Sequence, residues 1–143
     1  SLKDGSKKMS KSELSDLSRI NLTDDKDSII NKIKKAKTDP LPLPSSVNEL
    51  SERPEAKNLL GIYSSLTDST IDKSINEFEG KNFSDFKEKL SEVLVENLNP
   101  ISQEIKKLIN DKGFLDKILL DGHKKADKIA SNKVKKMQEI IGF

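Results

Sequence analysis

The chain has 143 residues, 35% of them charged and 33% apolar, with a formal net charge of +2; this suits one domain with a modest core. It has no cysteine, which argues against a disulfide framework or a thiolate metal site. Its one histidine, His123, lies beside two lysines and offers little support for zinc chemistry or Ser-His-Asp catalysis. No apolar run approaches the ~20 residues that a membrane helix needs.

Charge is unevenly distributed along the chain. Residues 1–44 carry ten basic and seven acidic residues, residues 45–99 carry six and eleven, and residues 112–136 carry eight lysines and three aspartates. Basic ends therefore flank an acidic middle. Such local basic segments can bind a polyanion, but a lysine-rich, solvated helix face explains them equally well.

The first notable stretch is DGSKKMSKSELSD, residues 4–16. It is too polar to fold by itself and is typical of a solvated, flexible terminus. It also contains the pentapeptide KMSKS, from Lys8 to Ser12, which raises the alternative of a phosphate-handling loop. Because the sequence begins at Ser1 rather than at a methionine, we expect it to be part of a longer protein.

Helical periodicity begins after this stretch. Residues 26–37 predict a helix capped by Asp24 or Asp25, and the proline-rich TDPLPLPSS, residues 38–46, then predicts an extended connector. The inward positions of this helix are Ile29, Ile30, Ile33 and Ala36.

A second and a third helix follow the connector. Pro54 is well suited to a helix start, and a short helix around residues 70–79 should stop at Gly80. The inward positions are Ala56, Leu59, Leu60, Tyr63 and Leu66 in the first of these helices, and Ile71, Ile75 and Phe78 in the second.

Two long stripes of apolar residues at helical spacing follow and extend nearly to the end of the sequence. One runs from Phe83 to Ile109 and keeps its phase through Pro100, which predicts a kinked long helix or two nearly coaxial helices. The other runs from Leu115 to Ile141, and we expect it to face the core. No strand pattern competes, so the sequence predicts an all-α fold, an antiparallel helix bundle with the first 20 residues outside it.

The motifs that follow KMSKS in the sequence indicate what kind of loop it belongs to. DGSKKMSKS is followed by SRINLTDD, KIKKAKTDP, RPEAKNLLGIYSSLT, FEGKNF and LLDGHKKADKIA. This succession, from Ser1 to Phe143, resembles the C-terminal third of the bacterial tryptophanyl-tRNA synthetases, a family of class I aminoacyl-tRNA synthetases. The resemblance implies ATP-dependent activation of tryptophan and its transfer to tRNA(Trp).

The same resemblance implies a division of the chain. Residues 1–23 would be the KMSKS loop and a linker from a Rossmann catalytic domain that lies upstream. Residues 24–143 would be the C-terminal helical domain that binds tRNA. Since the amino-acid pocket would lie upstream, we expect these 143 residues alone to be inactive.

The resemblance also assigns site residues. Lys8 and Lys11 match the two catalytic lysines, which would stabilise charge that develops on the departing pyrophosphate. Met9, Ser10 and Ser12 would complete the ATP-binding loop, and Lys7 is a weaker phosphate candidate. On the last helix we expect Lys124, Lys128 and Lys135 to contact tRNA.

The expected ligands and partners follow from these assignments. ATP, with its Mg²⁺, and tryptophan would be substrates, with no tightly bound cofactor and no metal site in this part. We expect a cytoplasmic protein without membrane contact, dimeric at full length, whereas this part alone could be monomeric.

Three alternatives stay open at this point. The chain could belong to a tyrosyl-tRNA synthetase, which shares the architecture. It could be a stand-alone helical RNA-binding module whose basic last helix binds phosphates. It could also be a structural helix bundle in which KMSKS occurs by chance.

Overall fold

A computed structural model describes residues 1–142 and contains helices joined by short irregular segments. No strand occurs within those residues, so the all-α prediction is confirmed. The helices are α1 (Lys26–Lys34), α2 (Pro54–Leu66), α3 (Ile71–Phe78), α4 (Phe83–Asn110) and α5 (Lys112–Ile141). There are also two 3₁₀ turns: Asp16–Ser18 precedes α1, and Val47–Ser51 lies between α1 and α2.

The helix ends follow local chemistry. The carboxylate of Asp25 accepts a hydrogen bond from the Ser28 amide at 2.9 Å and caps α1. Pro54 is the first residue of α2, where its missing N–H costs no helical hydrogen bond. Gly80 lies two residues after the end of α3. Its φ of +69° is in the left-handed region, which favours glycine. These three boundaries were predicted from the sequence and are confirmed.

Residues 1–103 form one compact unit with an aromatic centre. The rings of Tyr63, Phe78 and Phe86 meet edge to face, with centroid separations of 4.8–5.9 Å. The Tyr63 hydroxyl donates a hydrogen bond to Glu77 at 3.0 Å, so its polar end is satisfied at the edge of the core. This cluster joins α2, α3 and the start of α4.

Arg53 binds the first part of the proline-rich connector, and backbone hydrogen bonds between Leu43 and the segment after α3 hold its end. The Arg53 guanidinium pairs with the Asp39 carboxylate at 2.6 Å and donates to the carbonyls of Leu41 and Pro42 at 3.3 and 2.7 Å. Leu43, further along the connector, is buried. The arginine thus satisfies carbonyl groups that no regular element would use.

Helix α4 continues through Pro100 without a break, as the unbroken apolar phase indicated. Of the two predicted arrangements, the single long helix is the one observed. The described residues from Glu104 onward form a second compact unit, which contains the end of α4 and all of α5. None of the described helices is long and apolar enough to cross a membrane.

Three expectations about burial are wrong. The first 20 residues do not lie outside the core, because Leu2 and Ser18 are each 1% exposed. Ile30 is 37% exposed, although the helical pattern placed it inward.

The last correction concerns α5, which contributes no buried residue. Residues of its stripe, such as Leu119 and Ile129, are each 69% exposed. Periodicity identifies the apolar face of a helix but not the surface that covers it, which explains why the stripe was misplaced.

Replacement of Phe86 by alanine tests the aromatic centre. Phe86 is fully buried, so we expect the free energy of unfolding to fall by about 3–5 kcal/mol in urea denaturation of the chain. Phe114→Ala is the matched control, since Phe114 is 46% exposed on α5 and its replacement should destabilise far less. Equal destabilisation by the two substitutions would contradict this description of the core.

Candidate functional site

The KMSKS segment forms an exposed loop that precedes the first 3₁₀ turn. Lys8, Ser10, Lys11 and Ser12 are exposed, whereas Met9 is half-buried and packs against the core of the first unit. The hydroxyls of Ser10 and Ser12 lie 2.8 Å apart and share a hydrogen bond. The loop is therefore ordered by local contacts while its polar side chains remain accessible.

The start of the loop is fixed by the contacts of two residues, Leu2 and Gly5. Leu2 is buried, its amide donates to the Ser18 carbonyl at 2.9 Å, and its own carbonyl accepts from the Lys37 amide at 2.7 Å. Gly5 lies directly on the first turn of α2, where an added Cβ would be 2.2 Å from the Pro54 carbonyl oxygen. A side chain at Gly5 would require this backbone contact to open.

Asp4 organises the turn that leads into the lysines. Hydrogen bonds from Ser6, together with the nearby Lys7 ammonium, lower the pKa of Asp4 to about 2. The Lys7 ammonium lies 3.3 Å from the Asp4 carboxylate. Lys7 thus has an acidic partner within its own turn.

The end of the loop is fixed by Arg19. Its guanidinium donates to the main-chain carbonyls of Ser10 and Glu13, at 3.3 and 3.0 Å. It also pairs with the Asp16 carboxylate at 2.9 Å. These contacts tie the second half of the motif to the 3₁₀ turn.

Behind Arg19 lies a buried lysine. The ammonium of Lys32, on α1, contacts the carboxylates of Asp16 at 2.5 Å and Asp24 at 2.6 Å, and the Lys32 side chain is only 5% exposed. Burial lowers the pKa of Lys32, but the hydrogen bonds to both carboxylates outweigh it, so the pKa is raised. The hydrogen bond from Lys32, followed by that from Asn21, lowers the pKa of Asp16. Both shifts favour the ionised forms of Lys32 and Asp16 at neutral pH.

The two motif lysines differ from Lys7 and Lys32 in being unpaired. Within residues 1–142, neither Lys8 nor Lys11 has a carboxylate within ion-pair distance, and both are exposed. Two free ammonium groups three residues apart, beside two serine hydroxyls, can bind the oxygens of a polyphosphate. No cluster of His, Asp and Glu side chains in the described part of the chain could hold a metal ion.

The lysines assigned to tRNA lie in the second unit. Lys124, Lys128 and Lys135 are exposed on the continuous helix α5, and eleven residues at ~1.5 Å per residue separate the outer two by roughly 16 Å. Lys128 also borders a shallow surface hollow with Ile129, Asn132, Lys133 and Lys136. The helix therefore presents several ammonium groups along one element.

Comparison with known proteins defines the family. Residues 1–99 match the family model described as tRNA synthetases class I (W and Y). The chain belongs to this family. It is 51% identical over all 143 residues to a tryptophan–tRNA ligase of Mesorhizobium japonicum, and 51% identical over the same length to one of Rickettsia felis.

A solved structure shows the same fold. The tryptophanyl-tRNA synthetase of Mycoplasma pneumoniae superposes with a TM-score of 0.70 at 24% identity, covering 99% of this chain and 44% of that one. The chain spans 40% of the Mesorhizobium relative and 43% of the Rickettsia relative. These comparisons therefore show the family and the helical fold.

Sequence reasoning missed two residues that shape the loop. Neither Gly5 nor Arg19 was predicted to contribute to the loop, although both lie within the motifs quoted above. A glycine two residues before a lysine-rich run was the available signal for Gly5. Nothing in the sequence indicated that Arg19 reaches back nine residues to the Ser10 carbonyl.

Replacement of Gly5 by alanine tests the close approach of the loop to α2. Because the nearest atoms are backbone rather than flexible side chain, we expect the free energy of unfolding, measured in urea, to fall by about 1–3 kcal/mol. Gly61→Ala is the control. It lies inside α2, its added Cβ meets nothing within 4 Å, and the substitution should be neutral or stabilise by about 0.5–1 kcal/mol. A Gly5 variant as stable as the wild type would show that the contact is readily displaced.

Proposed function

We propose that this chain is the C-terminal part of a tryptophan–tRNA ligase, with residues 1–23 as its KMSKS loop and linker and residues 24–143 as its helical tRNA-binding domain. The observation that carries the proposal is the pair of unpaired, exposed ammonium groups of Lys8 and Lys11 on a loop whose two ends are anchored. The identity to proteins named tryptophan–tRNA ligase, over the full 143 residues, supports it.

In the proposed reaction the carboxylate of tryptophan attacks the α-phosphorus of ATP, and the bond to the pyrophosphate leaving group breaks. Negative charge then accumulates on the leaving oxygens. Lys11 and Lys8 would contact those oxygens, and contacts that strengthen as charge develops lower the activation barrier. Ser10, Ser12 and the main chain around Met9 would bind the rest of the nucleotide, whose Mg²⁺ enters with it.

The activated tryptophan would next be transferred to tRNA, which the basic helix α5 is proposed to help bind. Ammonium groups contact phosphates without reading sequence, so Lys124, Lys128 and Lys135 would contribute affinity rather than anticodon specificity. The proposal also includes a cytoplasmic location and a dimeric full-length protein. The tyrosyl alternative has less support, because the relatives described above carry tryptophan in their names.

The kinetics of Lys11→Ala in the full-length protein test the loop assignment. We expect the kcat of tryptophan-dependent pyrophosphate exchange to fall by ~10²–10³ with little change in the KM for tryptophan, since the ammonium acts mainly on transition-state charge. Lys73→Ala, at an exposed lysine on α3, should retain wild-type rates. The 143-residue chain alone should show no exchange. A raised KM with unchanged kcat would contradict the role given to Lys11.

The salt dependence of tRNA binding tests the role of α5. Replacing Lys124, Lys128 and Lys135 together by glutamine should weaken binding of tRNA(Trp) to the full-length protein. The slope of log K against log salt should flatten by about one unit for each lysine that binds a phosphate in the wild type. The matched control replaces three exposed lysines of the first unit, namely Lys26, Lys57 and Lys73. If both triple variants bind as the wild type does, tRNA must dock on another surface.

A further inference from the structure

A chain of charged contacts leads from the KMSKS loop to a buried site on α1. At its outer end, the Arg19 guanidinium donates to the Ser10 and Glu13 carbonyls, the two residues that bracket Lys11 and Ser12. The Arg19 side chain is 18% exposed, so most of it is shielded from water. A guanidinium is a planar fork with several donors, and this shape allows it to hold two carbonyls and a carboxylate at once.

The inner end of the chain of contacts fixes Arg19 in place. Its Nη2 atom lies 2.9 Å from one oxygen of Asp16, and the other oxygen of Asp16 lies 2.5 Å from the Lys32 ammonium. Lys32 is also bound by Asp24 at 2.6 Å. Two cations and two carboxylates make the cluster neutral, and the Lys32 side chain, which is only 5% exposed, anchors the cluster to α1.

We propose that Arg19, held by Asp16 and Lys32, is a positioning residue for the KMSKS loop. It fixes the main chain of Ser10 and Glu13 and thereby sets the direction in which Lys11 presents its ammonium to the nucleotide phosphates. The last step rests on the proposed function, because it assumes that Lys11 acts on ATP. The restraint of the loop itself does not depend on that assumption.

The structure offers a matched control for this role. Arg53, the other arginine of the chain, makes the same kind of clamp on an unrelated segment, with one carboxylate and two main-chain carbonyls. Arg53→Ala therefore removes comparable contacts without touching the KMSKS loop. A merely structural role for Arg19 would make the two alanine variants behave alike.

The first measurement is made on the 143-residue chain. In ¹⁵N relaxation experiments, Arg19→Ala should lower the order parameters of the Ser10–Glu13 amides to below about 0.6, while Arg53→Ala leaves them at the wild-type value. Unchanged order parameters in Arg19→Ala would overturn the proposed restraint. Asp16→Asn, which keeps the shape of the side chain, should shift the same amides in the same direction and serves if Arg19→Ala fails to fold.

The second measurement uses pyrophosphate exchange by the full-length protein. We expect Arg19→Ala to reduce kcat about tenfold, Arg19→Lys to recover part of that reduction, and Arg53→Ala to retain the wild-type kcat. In a Lys11→Ala background, Arg19→Ala should reduce kcat little further, because a residue that acts through Lys11 has no effect on the rate once Lys11 has been replaced. If the reduction of kcat in the double variant equals the product of the reductions in the two single variants, the positioning role is wrong.

The two measurements separate the two proposals. A wild-type protein without tryptophan-dependent exchange would refute the proposed function, while the order parameters would still decide whether Arg19 restrains the loop. Wild-type exchange together with an Arg19→Ala rate equal to that of Arg53→Ala would refute the positioning role alone.

Discussion

The structure of the loop region depends on one buried ammonium. Lys32 reaches from α1 into a site with little solvent, and a charge in such a place must be matched by carboxylates. Asp16 and Asp24 meet that requirement, and each belongs to the irregular segment between the KMSKS loop and α1. Through these two contacts an otherwise polar segment is joined to the helical unit.

This constraint explains how a sequence with almost no apolar residues is ordered. The loop is held at its start by the burial of Leu2 and by the contact of Gly5 with α2. It is held at its end by Arg19. Between these points the ammonium groups of Lys8 and Lys11 stay exposed, which combines a fixed main chain with side chains that are free to meet a charged ligand.

Arg19 and Arg53 both satisfy carbonyl groups of irregular backbone. A loop and a proline-rich connector both contain carbonyl groups that no helix satisfies, and each arginine binds two of them while a carboxylate holds its guanidinium in place. In the connector this arrangement supports the fold. In the loop it binds the backbone on either side of residues that the family resemblance assigns to catalysis.

The helices and the motif could be predicted from the sequence alone. Helix positions depend on periodicity and on neighbours within one turn, so Asp25, Pro54 and Gly80 marked boundaries that the structure confirms. The KMSKS pentapeptide is contiguous and was equally visible, and the family was recognised from the order of the short motifs. The assignment of individual loop residues to ATP, and of α5 lysines to tRNA, remains a prediction from that resemblance.

Contacts between groups that are distant in the sequence could not be predicted in this way. The contact of Gly5 with Pro54, the reach of Arg19 to the Ser10 carbonyl and the burial of Lys32 each depend on how separate segments pack, which no local pattern encodes. The same limit explains the errors of burial. Leu2 belongs to the first 20 residues, which were predicted to lie outside the bundle. The apolar pattern of α5 showed that the helix has an apolar face without showing whether any surface would cover it.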